Sequence, residues 1–192
     1  MAVAERDLSH LAPVPRARAR SERALVRDAA RGSEPALSEL FRLMWPGAYR
    51  AAFLIVHDHA AAEDIAQEAL VAAIKNLDRF DRRRPLRPWL HRIVVNRAID
   101  WARVRKLRAE VLTDEAARST SFAPGDQDVN LALDPVLAAL ATLTPDQRAV
   151  VVLRHLLEYT PGEIARMLGV PRGTVNSRLR RALDALETEL ER

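Results

Sequence analysis

The stretch TPGEIARMLGVPRGTVNSRLRRAL, residues 160–183, carries the signals for two short helices around a glycine turn. Thr160 can cap the first helix with its hydroxyl, Pro161 suits the first helical position, and Glu163 completes a capping box. Gly169 can adopt the positive φ that ends such a helix, and Pro171 has its φ already set for the next one. The pattern therefore predicts a helix-turn-helix.

The second helix of this motif has an apolar side and a polar, basic side. Its apolar stripe, which we expect to pack against the rest of the fold, comprises Val175, Leu179, Ala182 and Leu186. Its polar side carries Arg172, Asn176, Ser177, Arg180 and Arg181. Arginine suits guanine or phosphate and asparagine suits adenine, so this side indicates a helix that reads duplex DNA. The alternative is an ordinary solvated face of a surface helix.

The distribution of charge along the 192 residues also favours a polyanionic partner. The net charge of +4 understates this tendency, because basic residues concentrate between Arg79 and Arg108. The next charges, from Glu110 to Asp134, are acidic apart from Arg118. Two basic modules are thus predicted to flank an acidic tether.

Several classes of function are disfavoured by composition. The absence of cysteine excludes disulfides, thiolate zinc sites and cysteine nucleophiles. No apolar run approaches the roughly 20 residues of a membrane span, so we expect a cytoplasmic protein without membrane insertion. His57, His59 and Glu63 could suggest a metal site, but they are also typical of a turn between helices. We expect no cofactor and no enzymatic activity.

Helical periodicity dominates the chain, and the predicted fold class is all-α with two small helical domains. Residues 1–20 form a basic leader that is predicted to be disordered. Residues 21–108 form a domain of three or four helices, with possible breaks at 32–35, 46–47, 57–59 and 80–88. Residues 109–130 are predicted to be a flexible acidic linker, and residues 131–192 form the second domain.

The segment 61–80 combines an apolar stripe with a polar face. The stripe comprises Ile65, Ala69, Ala73 and Leu77, and the polar face carries Asp64, Gln67, Glu68 and Lys75. Taken alone, this polar face is consistent either with simple solvation or with contact to a partner.

The segment FDRRRPLRPWLHRIVVNRAIDWARVR, residues 80–105, interleaves basic and aromatic groups. Arg92, Asn96 and Arg103 fall along one stripe of the predicted helix, and Trp89 lies at its start. Cationic side chains bind phosphates, aromatic rings stack on unpaired bases, and an amide side chain can hydrogen-bond to an extruded base. The pattern therefore indicates binding to locally melted DNA. Trp89 and Trp101 could equally be core residues.

Four of these motifs in this order resemble the extracytoplasmic function group of the bacterial sigma-70 family. The segments that carry the resemblance are AEDIAQEAL at 62–70, WLHRIVVNRAIDWAR at 89–103, LTPDQRAVVVLRHLLEYTPGEIA at 143–165 and GTVNSRLRRAL at 173–183. The resemblance covers residues 21–190 and implies a sigma region 2 domain, a linker that runs toward the RNA exit channel, and a sigma region 4 domain.

The resemblance also implies partners and assigns residues to them. Core RNA polymerase would bind through its beta subunit and through its beta-prime coiled coil, the latter at Asp64, Gln67 and Glu68. Promoter DNA would be bound at two elements, and an anti-sigma factor is expected as a regulator. The residues matched to the minus-ten element are Arg82, Arg83, Arg84, Arg87, Trp89, Arg92, Asn96 and Arg103, where Asn96 matches the base-pocket asparagine. The residues matched to the minus-thirty-five element are Arg172, Thr174, Asn176, Ser177, Arg180 and Arg181.

Three positions depart from the family pattern. Asn176 stands where many relatives carry a basic residue, which exchanges a phosphate or guanine contact for an adenine contact. The loop DRRRPLRPW at 81–89 is more basic and richer in proline than the usual loop, and Gly162 replaces a common glutamate. The alternative function is a stand-alone helix-turn-helix regulator, which would need a dimerisation module in place of the 89–105 motif.

Overall fold

The computed structural model describes residues 16–116 and 135–190, and it gives the surroundings of side chains 22–108 and 135–190. Within these ranges all regular structure is helical, which confirms the predicted all-α class. The helices of the first part are α1 (Arg16–Ala29), α2 (Glu34–Val56), α3 (His59–Lys75) and α4 (Leu86–Ala116). Those of the second part are α5 (Pro135–Thr142), α6 (Pro145–Val151) with a π-helical turn at Val152–Leu156, α7 (Pro161–Leu168) and α8 (Arg172–Leu190).

The first unit, α1 to α4, packs around small residues. Ala48, Ala52, Ala66 and Ala98 are fully buried where α2, α3 and α4 meet. Small side chains allow helix axes to approach closely, and larger residues such as Ile55 fill the space between them. The chain breaks between helices at 30–33 and 57–58, close to two of the predicted breaks.

The predicted break at Pro46 and Gly47 is wrong, because α2 continues through both residues. Proline in a helix interior removes one backbone hydrogen bond, at a cost of about 3 kcal/mol. Met44, Ala48 and Ala51 are nevertheless buried on the same helix, so packing against the core outweighs the local penalty.

Two helices extend beyond the predicted domain boundaries. α1 begins at Arg16, so the end of the segment assigned to the leader is helical. α4 runs to Ala116, so the beginning of the segment assigned to the linker is helical as well. Neither extension contains glycine or proline, and nothing local stops the helix. The remaining residues of the predicted leader and linker, 1–15 and 117–130, lie outside the described residues.

The second unit contains the predicted helix-turn-helix, formed by α7 and α8. Thr160 and Glu163 form the predicted capping box, in which the Thr160 backbone N–H donates to Glu163 Oε2 at 2.8 Å. The hydrogen bonds from Thr160 also lower the pKa of Glu163 below its ordinary value. Gly169 has φ 67° and ends α7, and the stripe of α8 is buried at Val175, Leu179 and Ala182.

The two units are in direct contact, which the sequence did not indicate. α6 packs against α2 and α4, and α7 packs against α4. The guanidinium of Arg148, on α6, donates to the backbone carbonyl of Ile55 in the last turn of α2. It also donates to the Leu143 carbonyl at 2.9 Å. Burial lowers the pKa of Arg148 to about 10. Because this pKa is well above 7, the guanidinium stays charged at neutral pH.

One carboxylate joins the two units by ion pairs. Asp146, at the start of α6, accepts hydrogen bonds from Nη2 of Arg103 on α4 at 2.8 Å and 2.9 Å. The same carboxylate lies 2.9 Å from Nη1 of Arg178 on α8. Arg178 and Asp146 are three-quarters buried, so this network is screened less than an exposed pair.

A histidine and a tyrosine make the third polar contact between the units. Nδ1 of His91 on α4 lies 2.8 Å from the hydroxyl of Tyr159, which directly precedes the cap of α7. Burial raises the pKa of Tyr159 above its ordinary value, so the hydroxyl keeps its proton. Burial and the nearby charge of Arg87 lower the pKa of His91 to about 4, so the imidazole is neutral at pH 7.

The buried His91 predicts a loss of stability in mild acid. Because the pKa of His91 is lowered on folding from 6.5 to about 4, the unfolded chain binds a proton between these values that the folded chain does not. The contribution of His91 to the free energy of unfolding is fully present above pH 6.5. Below pH 6.5 this contribution falls by about 1 kcal/mol per pH unit. Urea denaturation between pH 7 and pH 5 measures the effect.

The replacement His91→Gln isolates this contribution, since glutamine does not titrate. We expect the variant to be less stable at pH 7 but to lose less stability as the pH falls. His155→Gln is the matched control, because His155 is exposed, and it should keep the parental dependence on pH. An identical pH dependence in His91→Gln and the parent would contradict this account of His91.

Candidate functional site

The polar face of α3 is exposed and firmly positioned. Asp64, Gln67 and Glu68 are all exposed, while Ile65 and Ala69 of the opposite stripe are buried. The three polar residues line a shallow hollow together with Val71, Ala72, Lys75 and Arg97. Arg97, on α4, forms an ion pair with Glu68 across this hollow. The face therefore combines charges of both signs with a few apolar side chains, which suits contact with another protein.

The basic loop before α4 presents its arginines to solvent. Arg82, Arg83 and Arg84 are exposed, and Asp81 orders the loop by accepting the backbone N–H of Arg83 at 3.0 Å. The Asp81 carboxylate also lies 3.5 Å from Arg84 Nε. The loop is thus shaped locally while its positive charge remains available for phosphates.

Trp89 connects this loop to the core. Its ring centroid lies 5.0 Å from that of Phe80, which is buried, and Trp89 itself is half-buried. Trp101 is half-buried too, and the guanidinium of Arg105 lies 5.1 Å from its ring centroid. Both tryptophans therefore pack against the fold while part of each ring system stays accessible.

The candidates on α4 differ in their surroundings. Arg92 and Arg103 are exposed, and Asn96 is half-buried between them along the helix. Arg103 is held by Asp146 of the second unit. Arg87 points instead toward α1, where its Nε lies 3.6 Å from Glu22. Arg92 is therefore the exposed member of this set that no ion pair holds in the described part of the chain, and Asn96, one turn further along α4, is partly accessible.

The polar side of α8 is exposed as its periodicity predicts. Arg172, Asn176, Arg180 and Arg181 are exposed, and Thr174 and Ser177 are half-buried. The hydroxyl of Ser177 donates to the Thr174 carbonyl at 3.0 Å, and Arg181 Nε donates to the Ser177 carbonyl at 3.3 Å. Asn176 has an unobstructed position in the middle of this surface.

A hollow of about 660 Å³ between the two units brings together residues of two motifs that the sequence did not place next to each other. From the first unit it is lined by Arg79, Phe80, Asp81, Arg84, Pro85, Pro88, Trp89 and Arg92. From α7 it is lined by Glu163, Arg166 and Met167. Arg79 and Arg166 lie far apart in sequence and on different elements, so no local pattern could have associated them.

The two histidines considered as part of a metal site lie in different surroundings. His57 ends α2 with φ 53° and is mostly buried beside Arg148; this burial and the charge of Arg148 lower the pKa of the histidine to about 4. His59 stacks on Phe53 at 4.3 Å between ring centroids and shares a 2.6 Å hydrogen bond with Tyr49. Among the side chains of residues 22–108 and 135–190, no group of three or more histidines and carboxylates is arranged to hold a metal ion.

A search of the helices in the described part of the chain finds none with the length and apolarity needed to cross a membrane.

Two family models match the two units. The model for "Sigma-70 region 2" matches residues 40–108, which cover most of α2 to α4. The model for "Sigma-70, region 4" matches residues 133–186, which include the helix-turn-helix.

Curated proteins are similar over nearly the whole chain. The ECF RNA polymerase sigma factor SigW of Bacillus subtilis is 32% identical over 176 residues, which are 86% of this chain and 94% of the relative. The RNA polymerase sigma-E factor of Streptomyces avermitilis is 35% identical over 162 residues, covering 84% of this chain and 89% of the relative.

Solved structures show the same architecture. CnrH, in complex with the cytosolic domain of CnrY, is 28% identical with a TM-score of 0.66, covering 89% of this chain and 97% of that one. The sigma factor RpoE of Bartonella quintana, in complex with the anti-sigma factor NepR, is 27% identical with a TM-score of 0.61, covering 80% and 96%. The chain therefore belongs to the extracytoplasmic function group of the sigma-70 family of RNA polymerase sigma factors.

Proposed function

We propose that this chain brings core RNA polymerase to promoters and reads two promoter elements with its two helical units. The observation that carries the proposal is that each unit matches one sigma region and presents an exposed basic surface, on the 82–92 segment and on α8. The first unit, within residues 21–108, acts as region 2, and the second, within 131–192, acts as region 4. A stand-alone regulator would not account for the region 2 match.

The face of α3 is the proposed contact with the beta-prime coiled coil of the polymerase. Asp64, Gln67 and Glu68 project from a helix whose other side is buried, so binding would not require the fold to rearrange. The hollow that they line also includes the apolar side chains of Val71 and Ala72, and such a mixture of polar and apolar groups is typical of a protein interface. The beta subunit is proposed as a second contact of the same polymerase.

The basic loop and α4 are the proposed minus-ten reader. Arginines 82 to 84 would hold phosphates of the displaced strand, and the partly exposed ring of Trp89 would flank the unpaired bases. Asn96, half-buried on the same helix, would hydrogen-bond to the edge of one extruded base. Unstacking costs a few kcal/mol per step, which these contacts would offset.

The polar side of α8 is the proposed minus-thirty-five reader. A helix docked in the major groove places base-reading side chains on its exposed side, where Asn176, Arg180 and Arg172 lie. Asn176 favours adenine at the position that it contacts. The Ser177 hydroxyl donates to the Thr174 carbonyl, so it would have to exchange this hydrogen bond in order to donate to a DNA phosphate.

The proposed function also includes a cellular location and a regulatory partner. The chain would act in the cytoplasm, where the polymerase is, and would direct initiation without catalysing a reaction of its own. Because solved relatives are held by partners, including the anti-sigma factor NepR of RpoE, we include an anti-sigma factor among its partners.

Charge reversal on α3 tests the polymerase contact. We expect Asp64→Lys combined with Glu68→Lys to weaken binding to core polymerase at least about tenfold, because two negative charges at the interface become positive. Surface plasmon resonance with immobilised core measures the change. Glu39→Lys on α2 is the matched control, since it reverses an exposed charge on another face of the same unit. Unchanged binding by the double variant would refute the assignment of this face.

Replacement of Asn96 tests base capture. We expect Asn96→Ala to reduce promoter opening about tenfold while binding to core changes less than twofold, since one hydrogen-bonded base contact contributes about 1–3 kcal/mol. Permanganate footprinting of melted promoter DNA measures opening, and the core-binding assay provides the comparison.

Asn76→Ala is the control for Asn96, because the amide of Asn76, directly after α3, donates to the Ala72 carbonyl of that helix at 2.8 Å. It should open promoters like the parent. If Asn96→Ala also opens promoters like the parent, with the same minus-ten preference, Asn96 does not capture a base.

A further inference from the structure

Arg97 is a basic residue of the DNA-reading helix α4 whose charge is directed to a different surface. It directly follows Asn96, so its side chain leaves the helix about 100° around the axis from the proposed minus-ten stripe. Its guanidinium forms an ion pair with Glu68 on α3. The charge of Arg97 therefore belongs to the face of α3 and not to the row of Arg92, Asn96 and Arg103.

The hollow on the α3 face places Arg97 among the groups of the proposed polymerase contact. This hollow has a volume of about 460 Å³. Its other lining residues within the described part of the chain, from Asp64 to Lys75, all belong to α3. Arg97 is thus the contribution of a second helix to this surface, and Glu68 is held from two helices instead of one.

The ion pair occupies only one oxygen of the Glu68 carboxylate. Nη1 of Arg97 donates to Oε2, and among the described residues no group donates a hydrogen bond to Oε1. An ionised carboxylate offers about four lone-pair sites, so it can accept from a second donor while Arg97 stays in place. The side chain of Glu68 is 66% exposed, which leaves it open to such a donor. Arg97 therefore orients this carboxylate without blocking it.

Arg97 has two opposing effects on a basic group that approaches this face. Its positive charge repels such a group, which weakens binding. Its ion pair restricts the Glu68 side chain before binding, which removes part of the entropy cost of ordering that side chain in the complex. The repulsion acts past the carboxylate and through solvent at a largely exposed site, so it is strongly screened. Since the ordering of Glu68 involves direct contact, it is the larger of the two effects.

We propose that Arg97 is a positioning residue of the polymerase contact. It holds the Glu68 carboxylate so that Oε1 can accept a hydrogen bond from a basic group of core polymerase. The inference rests on the proposed function of the α3 face and adds a residue of α4 to that face. One helix then serves both partners, with Asn96 directed to DNA and Arg97 to the polymerase.

Binding of core polymerase to four proteins tests whether Arg97 acts through Glu68. The four are the parent, Arg97→Ala, Glu68→Ala and the variant with both changes. In surface plasmon resonance with immobilised core, we expect Arg97→Ala to weaken binding about three- to tenfold, because Glu68 must then be ordered on binding. When Glu68→Ala is already present, we expect Arg97→Ala to change binding by less than about twofold, since no carboxylate remains to be held.

Two further variants accompany this comparison. Arg42→Ala is the matched control, because it removes an arginine and its exposed ion pair with Glu39 from another face of the same unit, and it should bind core like the parent. Arg97→Lys keeps a cation beside Glu68 and should bind within about twofold of the parent, since a single nitrogen of Arg97 makes the contact. Circular dichroism and thermal unfolding check that every variant folds like the parent.

The outcomes separate the role of Arg97 from the proposed function. Equal or tighter binding by Arg97→Ala would overturn the inference, because repulsion would then equal or outweigh the ordering of Glu68. An equal loss with and without Glu68 would also overturn it, since Arg97 would then act independently of that carboxylate. In both cases the parent still binds core, and the proposed function stands. Failure of the parent to bind core would refute the proposed function itself, and this inference with it.

Discussion

Burial of one apolar stripe fixes each functional helix and thereby determines which of its polar side chains face outward. On α3 the buried residues Ile65 and Ala69 leave Asp64 and Glu68 exposed. On α8 the buried residues Val175 and Leu179 leave Asn176 and its neighbouring arginines exposed. The small alanines at the centre of the first unit let α2, α3 and α4 approach closely. This close packing holds the exposed faces of the three helices in place. Rigid presentation of polar groups is what recognition of a partner requires.

The contact between the two units combines an apolar core, to which buried residues of both units contribute, with a few specific polar contacts. Arg148 bonds to the end of α2, where carbonyl groups lack partners within the helix. Asp146 and Tyr159 add an ion-pair network and a histidine contact. These polar contacts have defined partners and therefore help to specify how the two units are oriented relative to each other.

The sequence predicted what local chemistry determines. The Thr160–Glu163 capping box, the Gly169 turn and the stripes of α3 and α8 depend on residues within a few positions of each other, and all are present. The continuation of α2 through Pro46 depends on tertiary burial, which overrides local propensity. The hollow shared by Trp89 and Arg166, and the pairing of Arg103 with Asp146, join segments that are distant in sequence. No periodicity or spacing encodes such pairings.

This chain directs promoter-specific initiation, and its two helical units each supply one DNA-reading surface in the proposed function. Transcription in vitro with purified core polymerase and a randomised promoter library, read by sequencing of the transcripts, measures this specificity. We expect initiation at templates that share two sequence elements at a fixed separation, with adenine enriched in the upstream element where Asn176 contacts it. Transcripts that depend on the chain but share no such pair of elements, or the absence of any specific initiation, would contradict it.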